Sequence, residues 1–188
     1  MPRYFFAAIL TIAAFHSFAQ SKYLNLSAGY ALANIKSVDT NADGWRISAS
    51  LEYPSKHDRV LHAVTLGHIT TSATITEMSG GQPIESKYTI GTWPLYYAPK
   101  FLIGNDNLQG YVKPLAGMQF STLKRTGTLE DASSGDAGFF TGLGLGGMIH
   151  LNADHYINLE YEWTYQSNSY YSDGFIHSIT VGYGLALK

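Results

Sequence analysis

The chain has 188 residues, a formal net charge of −2 and no cysteine, which excludes a disulfide framework, a lipoprotein anchor and a thiolate metal site. Charged residues make up only 14% of it, whereas a soluble domain usually carries roughly a quarter; aromatic residues also reach 14%, with 14 Tyr and 19 Gly. The slightly acidic balance gives no support to nucleic-acid binding or to a polybasic membrane-surface role.

The N-terminus has the pattern of a secretory signal peptide. Arg3 precedes an apolar run at residues 4–15, and Ser17-Phe18-Ala19 forms a small-x-small cleavage site. Residues 1–19 are therefore predicted to be removed, which leaves residues 20–188 as one domain. No later segment has the roughly 18 apolar residues of a transmembrane helix, so only a closed barrel could hold the mature chain in a membrane.

The mature chain is predicted to form eight strands in which apolar and polar residues alternate. In the last but one, the odd positions from Ile157 to Tyr165 are apolar and the even positions polar. Ten such residues, at about 3.3 Å each, span the hydrocarbon core of a bilayer when tilted. The predicted strands are 23–33, 44–53, 60–76, 88–100, 110–123, 139–151, 156–166 and 175–187.

Two of these strands have irregular patterns. Alternation is weakest at 60–76, where we expect Val64 and Leu66 outward and Ala63, Thr65 and Gly67 inward, a parity that puts His62 and His68 outward as well. The strand at 88–100 contains Pro94, which removes a backbone donor and usually marks a bulge or an edge.

The connections between the predicted strands alternate in length. The short turns are 54–59, 104–109 and 152–155, and the longer polar loops are 34–43, 77–83, 124–137 and 168–174. An outer-membrane barrel with both termini in the periplasm has short periplasmic turns and longer extracellular loops. The lengths therefore favour an all-β fold, an eight-stranded antiparallel up-and-down transmembrane β-barrel.

The chemistry of the two faces predicts which one is inside. The polar face is mostly Ser, Gly, Thr, Asn and Ala, as a narrow lumen filled by side chains requires. A water-facing exterior would carry more Lys and Glu. On the apolar face, Trp45, Tyr53, Trp163 and Tyr165 lie near strand ends and are predicted to form an aromatic girdle at the membrane boundary.

Five charged residues fall on the inward face: Arg46, Glu52, Lys113, Glu160 and Glu162. Buried charges persist only when they are paired or solvated. We therefore predict a salt-bridge network among Arg46, Lys113 and the two later glutamates that plugs the lumen.

Several segments resemble a known family. Residues 139–166 resemble the penultimate hairpin of the small eight-stranded outer-membrane barrels, the OmpA-like and porin-family barrel domains, and residues 93–100 are similar to a strand found in the Bacteroidetes-type members. Thr180, Gly182, Leu185 and Leu187 are similar to the C-terminal assembly signal of such barrels, although the chain ends in Lys188 and not in an aromatic residue. The resemblance implies a monomer in the outer membrane of a Gram-negative bacterium. It also implies contact with outer-membrane lipid and lipopolysaccharide, and assembly by the barrel assembly machinery through the last strand.

The sequence offers little support for cofactors or metals. Gly142, Gly144 and Gly146 keep strand parity and no helix follows them, so we expect packing glycines and not a phosphate cradle. His62 and His68 are six residues apart, about 20 Å along a strand, too far to share an ion. His57 and Asp58 are expected to be solvated turn residues.

Three function classes remain open. The first is a non-enzymatic barrel with a structural or surface-interaction role through its four long loops, and the second is a narrow pore for small solutes. The third is a lipid A-modifying enzyme, for which His177 and Ser178 are candidates. Adjacent strand residues point to opposite faces, which argues against a nucleophile–base pair between these two. A soluble lipocalin-like barrel is a remoter alternative.

Overall fold

The computed structural model describes residues 22–55, 59–79, 82–127, 132–167 and 170–187. The predicted signal peptide at 1–19, His57, Asp58 and Lys188 lie outside these ranges. The strands are β1 (Lys22–Ile35), β2 (Thr40–Pro54), β3 (Val60–Ser79), β4 (Gln82–Tyr97), β5 (Lys100–Gly104), β6 (Leu108–Gly127), β7 (Ala132–His150), β8 (His155–Gln166) and β9 (Tyr171–Leu187). Within the described ranges, no helix is long and apolar enough to cross a membrane.

The strands close into a ring. Each is antiparallel to its neighbours, and β1 pairs with both β2 and β9, so that the first and last strands meet. Because β4 and β5 both pair with β3 on one side and β6 on the other, they are two segments of one barrel strand. The ring therefore contains eight barrel strands, and the predicted fold class is confirmed.

The two faces of the wall lie as predicted. In β8, Leu159 on the odd face is 58% exposed, whereas Thr164 and Gln166 on the even face are fully buried. The weakly patterned β3 has the expected parity: Ala63 and Thr65 are buried, while Val64 and Leu66 are exposed. The outer surface is therefore apolar and the interior polar, the reverse of a water-soluble barrel.

The long loops are shorter than predicted, because the strands continue into them. The sequence predicts a loop at 124–137, but β6 continues to Gly127, β7 begins at Ala132, and the two strands pair out to Arg125 and Ala132. The segments 34–43 and 77–83 are likewise entered by the strands on both sides, and 168–174 is entered by β9, which begins at Tyr171. Where a hairpin extends beyond the apolar band, both of its faces meet water, so the alternation disappears while the backbone ladder continues.

The predicted strand 88–100 also needs correction, because the strand is longer at both ends. It begins at Gln82 and resumes after Ala98-Pro99 as β5, which ends at Gly104. Pro94 marks neither a bulge nor an edge. Pairing with β3 lapses at Trp93 and Pro94 and returns in the same register, since Leu95 opposes Leu66 and Thr92 opposes Ile69.

Two apolar clusters fill opposite ends of the interior. The hairpins that link β1–β2, β3–β4, β6–β7 and β8–β9 lie at one end of the barrel. The cluster near them includes Ile69, Ile90, Phe140, Tyr171 and Ile176. The cluster near the short turns and the chain termini consists of Leu61, Leu102, Tyr111, Met148 and Tyr156, with Tyr23 packed against it. Successive inward positions of β6 pass from one cluster to the other through a charged layer: Tyr111, then Lys113, then Leu115.

Candidate functional site

The charged layer of the interior contains three cations and three carboxylates, all buried. They are Arg46, Lys100, Lys113, Glu52, Glu160 and Glu162. Because the charges balance, the layer as a whole is neutral. Such a layer is tolerated only if each charge has a partner, since an unpaired buried ion costs several kcal/mol.

Glu162 is the centre of the larger group. One of its carboxylate oxygens pairs with the Arg46 guanidinium, and the other accepts from Lys113 Nζ at 2.5 Å. Lys113 also binds Glu160 at 2.6 Å. Arg46 donates further to Tyr96 Oη at 2.6 Å and to Ser178 Oγ at 3.0 Å. Two carboxylates and two cations from β2, β6 and β8 are thereby held across the lumen.

A second group lies toward the short turns. Glu52 of β2 accepts from Lys100 Nζ of β5 at 2.6 Å and from Tyr156 Oη of β8 at 2.7 Å. The Lys100 ammonium also lies 4.9 Å from the centre of the Tyr111 ring. Strands that are not neighbours in the ring are therefore joined a second time.

Hydrogen bonds connect the two groups. Asn25 Nδ2 donates to Tyr156 Oη and to Asn158 Oδ1, each at 2.8 Å. Asn158 Nδ2 donates to Tyr111 Oη at 3.2 Å, and Tyr111 Oη donates to Glu160 at 2.7 Å. The interior thus has one continuous polar network, with members on both seam strands, β1 and β9, through Asn25 and Ser178.

The glycines of β7 make room for this network. Gly144 lies between Lys113 on β6 and Glu162 on β8, and a Cβ atom there would come within 2.9 Å of Lys113 Cε. Gly146 lies between Tyr111 and Glu160 in the same way, and its Cβ would overlap the Tyr111 ring. Because long side chains of the neighbouring strands lean over β7, packing explains why Gly144 and Gly146 carry no side chain.

The structure brings four predicted residues, Arg46, Lys113, Glu160 and Glu162, into one cluster and places Glu52 in the second. Lys100 is missing from the predicted set, because the sequence pattern marks it only as the end of a strand. Two signals could have found it. The even-inward parity of β4 continues through Ala98 to Lys100 and Leu102. In addition, the five predicted charges are two cations and three carboxylates, so a neutral interior requires one more cation.

The comparisons with known proteins fit this geometry. The family described as "Outer membrane protein beta-barrel domain" matches residues 5–186 of the chain. The chain belongs to this family. It is an outer-membrane β-barrel protein.

Solved structures with the same fold include three outer-membrane proteins. Ail, the attachment invasion locus protein of Yersinia pestis, is 16% identical with a TM-score of 0.53, over 90% of this chain and 100% of that one. Neisserial surface protein A is 14% identical with a TM-score of 0.53, over 89% and 99%. A major outer membrane protein of Thermus thermophilus is 11% identical with a TM-score of 0.57, over 90% and 100%. These similarities show the fold alone, and a comparison with curated proteins gives no match.

The other candidate residues of the outer-membrane barrel do not form a second site. His177 bonds Tyr161 Oη at 2.6 Å on the outer face, while Ser178 bonds Arg46 inside, so the two are on opposite faces of β9. His62 and His68 lie in separate aromatic clusters on the outer wall, beside Tyr97 and Trp93 respectively. Across the described part of the chain, no group of three or more His, Asp or Glu side chains is arranged to hold a metal ion.

The four predicted girdle residues are all exposed on the outer face of the barrel: Trp45, Tyr53, Trp163 and Tyr165. Their role at the membrane boundary stays a prediction. Trp163 stacks on Phe175 with ring centres 4.9 Å apart, and Tyr165 meets the same ring edge-on at 5.4 Å. These contacts form a rigid aromatic cluster on the outer wall near the hairpin end.

Proposed function

We propose that this protein is a closed, non-enzymatic outer-membrane barrel that supports surface interactions through its paired hairpins. The observation that carries the proposal is the filled interior: a neutral, fully connected charge network lies between two apolar clusters. A solute would have to separate buried ion pairs to pass, and the cost of leaving one such charge unpaired is about 3–5 kcal/mol.

The hairpins support the surface role. Their strands continue as hydrogen-bonded ladders beyond the apolar band, so they are stiff extensions of the wall and not long flexible loops. In the β6–β7 hairpin, for example, Lys124 opposes Ser133 and Arg125 opposes Ala132. Polar side chains on a rigid ladder can make specific contacts at little entropic cost. Assembly through β9, the monomeric state and cleavage of the signal peptide are part of the same proposal.

Conductance separates the closed barrel from the alternative, a narrow pore. In a planar bilayer, we expect the folded protein to give no stepwise current, because its interior is packed with paired side chains. Folding is checked by heat-modifiable gel migration, and an open porin serves as the control for insertion. Stable, ion-selective current steps from the folded protein would overturn the closed-barrel proposal in favour of the pore.

The orientation of the hairpins can be tested separately, since the chain contains no cysteine that would react in the background. We expect Ser133→Cys, in the β6–β7 hairpin, to react on intact cells with a maleimide that cannot cross membranes. Asp154→Cys, in the turn between β7 and β8, should react only after the cells are lysed. The reverse pattern would show that the hairpins face the periplasm and would rule out a role at the cell surface.

A further inference from the structure

Strand β3 has an open backbone edge at the hairpin end of the barrel. Its pairing with β2 stops at Ser72, which opposes Asp43, whereas its pairing with β4 continues to Ser79. Residues 73–79 are therefore paired on one side only, since no described strand lies beside them on the β2 side. An unpaired strand edge of this kind is a template for another extended chain.

The direction of the backbone groups identifies the residues that face this open edge. Successive residues of a strand point their N–H and C=O groups to opposite sides. Val60 O accepts from Ser55 N on the β2 side. Ala63 O accepts from Ala98 N on the β4 side. Because the register is constant along β3, the even positions face the open edge: Thr74, Thr76 and Met78.

These edge groups are available to a partner. None of the backbone N–H and C=O groups of the three edge residues has a hydrogen-bond partner among the residues that the structure describes. Met78, near the tip of the hairpin, is 71% exposed. The segment is thus both unsatisfied by the fold and open to water.

The sequence of this edge does not protect it against strand addition. Natural edges are commonly blocked by proline, by lysine or by a bulge. Residues 73–79 contain no Pro, Gly, Lys or Arg, and residues 74–76 are all β-branched, which favours an extended chain. By contrast, the edge of β4 that extends beyond Ser86, its last pairing position with β6, contains Pro83.

The corresponding edge of β7 is covered by its own chain. Pairing with β8 stops at Phe140. Just beyond it, Ser167 N donates to Phe139 O, and Phe139 N donates to Ser167 Oγ. Ser134 Oγ lies 3.1 Å from Tyr170 Oη. The edge of β3 therefore differs from those of β4 and β7 in being both unblocked and uncovered.

We propose that residues 73–79 bind an extended segment of a partner polypeptide, which adds to β3 as a further strand. Opposite residues of an antiparallel pair share a face, so partner residues opposite the edge residues would point outward into water. The alternate partner residues would point inward beside Ile75 and Val38, which pack against the apolar cluster at this end. The segment that fits therefore alternates polar and apolar residues. This site rests on the proposed function, because a partner outside the cell reaches it only if the hairpins face outward.

A second copy of the chain does not fit this edge within one membrane. Barrels in one membrane point the same way, so two β3 edges would run parallel. A two-fold axis along the membrane normal places identical residues at equal height, whereas parallel pairing requires an offset between the bonded residues. The occupant is therefore a separate polypeptide.

The test is fluorescence anisotropy of a labelled heptapeptide of alternating threonine and valine, added to the folded protein in neutral maltoside micelles. We expect Thr76→Pro to weaken binding at least about tenfold, because it removes the central edge N–H and places a ring in the path of the added strand. The β3–β4 ladder does not use this N–H, and heat-modifiable gel migration checks that the variant folds. The matched control Ser133→Pro makes the same change on the covered β7 edge and should leave the affinity within about twofold of the wild type.

Methylated peptides test whether the main chain makes the contact. We expect N-methylation of a central threonine amide to weaken binding at least about tenfold and N-methylation of the neighbouring valine amide to have little effect, because only the threonine amides face β3 when the valines point inward. No binding of the unmodified peptide, or equal affinity of wild type and Thr76→Pro, would overturn the proposal. So would an equal loss of affinity in Ser133→Pro.

The same variants distinguish a second copy from a separate partner. A dimer of the protein in micelles that Thr76→Pro disperses would identify the second copy as the occupant and overturn the proposal. Peptide binding in micelles does not depend on which way the hairpins face in the cell, and the cysteine labelling measures that orientation. The two proposals therefore fail separately.

Discussion

Replacing Glu162 by glutamine is expected to lower the free energy of unfolding by about 3–5 kcal/mol, because it removes the carboxylate that pairs with both Arg46 and Lys113. Lys113 keeps Glu160, but Arg46, which is 1% exposed, loses its only carboxylate partner among the described residues. The measurement is urea unfolding of the protein in lipid vesicles, followed by tryptophan fluorescence and by gel migration without boiling.

Two further variants make this result specific. Glu85→Gln removes an exposed carboxylate at the hairpin end and should change stability by less than about 0.5 kcal/mol. Combining Glu162→Gln with Arg46→Met leaves the Lys113–Glu160 pair intact and removes the orphaned cation, so this double variant should be more stable than Glu162→Gln alone. A cost below about 1 kcal/mol for Glu162→Gln would mean that water reaches the network, which would contradict the closed interior.

Two adjacent glycines in β7 are expected to differ strongly in how much stability the same substitution costs. Gly146→Ala should destabilise the barrel by about 2–3 kcal/mol, because the added methyl group overlaps the Tyr111 ring and approaches Leu159 O within 2.8 Å. Moving that ring also breaks the hydrogen bond from Tyr111 to Glu160. Gly147 points outward, and the nearest atom to a Cβ there is Gln109 O at 3.9 Å. Gly147→Ala should therefore change stability by less than about 0.5 kcal/mol.

The same unfolding assay measures both glycine variants, which differ only in the face that receives the methyl group. Equal effects would mean that the loss of glycine backbone freedom, and not the space over β7, determines stability at this point. A neutral Gly146→Ala would show that the Tyr111 ring can move without cost. In that case the network would be more adaptable than its short hydrogen bonds indicate.

The faces of the barrel wall could be predicted from the sequence because a two-residue period needs only local information, whereas the family was predicted from the resemblance of residues 139–166 and of the last strand. Alternation at Ile157 to Gln166 determines which side chains share a face, and the Ser- and Gly-rich chemistry of the other face determines which one is inside. The same reasoning failed at residues 124–137, since a ladder with water on both faces has no alternation to detect. It also failed at Lys100, because the Ala98-Pro99 break has the local pattern of a strand end.

The local pattern predicts the strand count, the inward and outward parity and five of the six buried charges, all except Lys100. Which charges pair depends on the closed fold, because partners such as Glu52 and Lys100 are 48 residues apart in the chain and meet only when the ring closes. The stagger between strands sets the height of each side chain in the lumen, and no local pattern encodes it. The link from Asn25 through Tyr156 to Glu52 therefore follows from barrel closure alone.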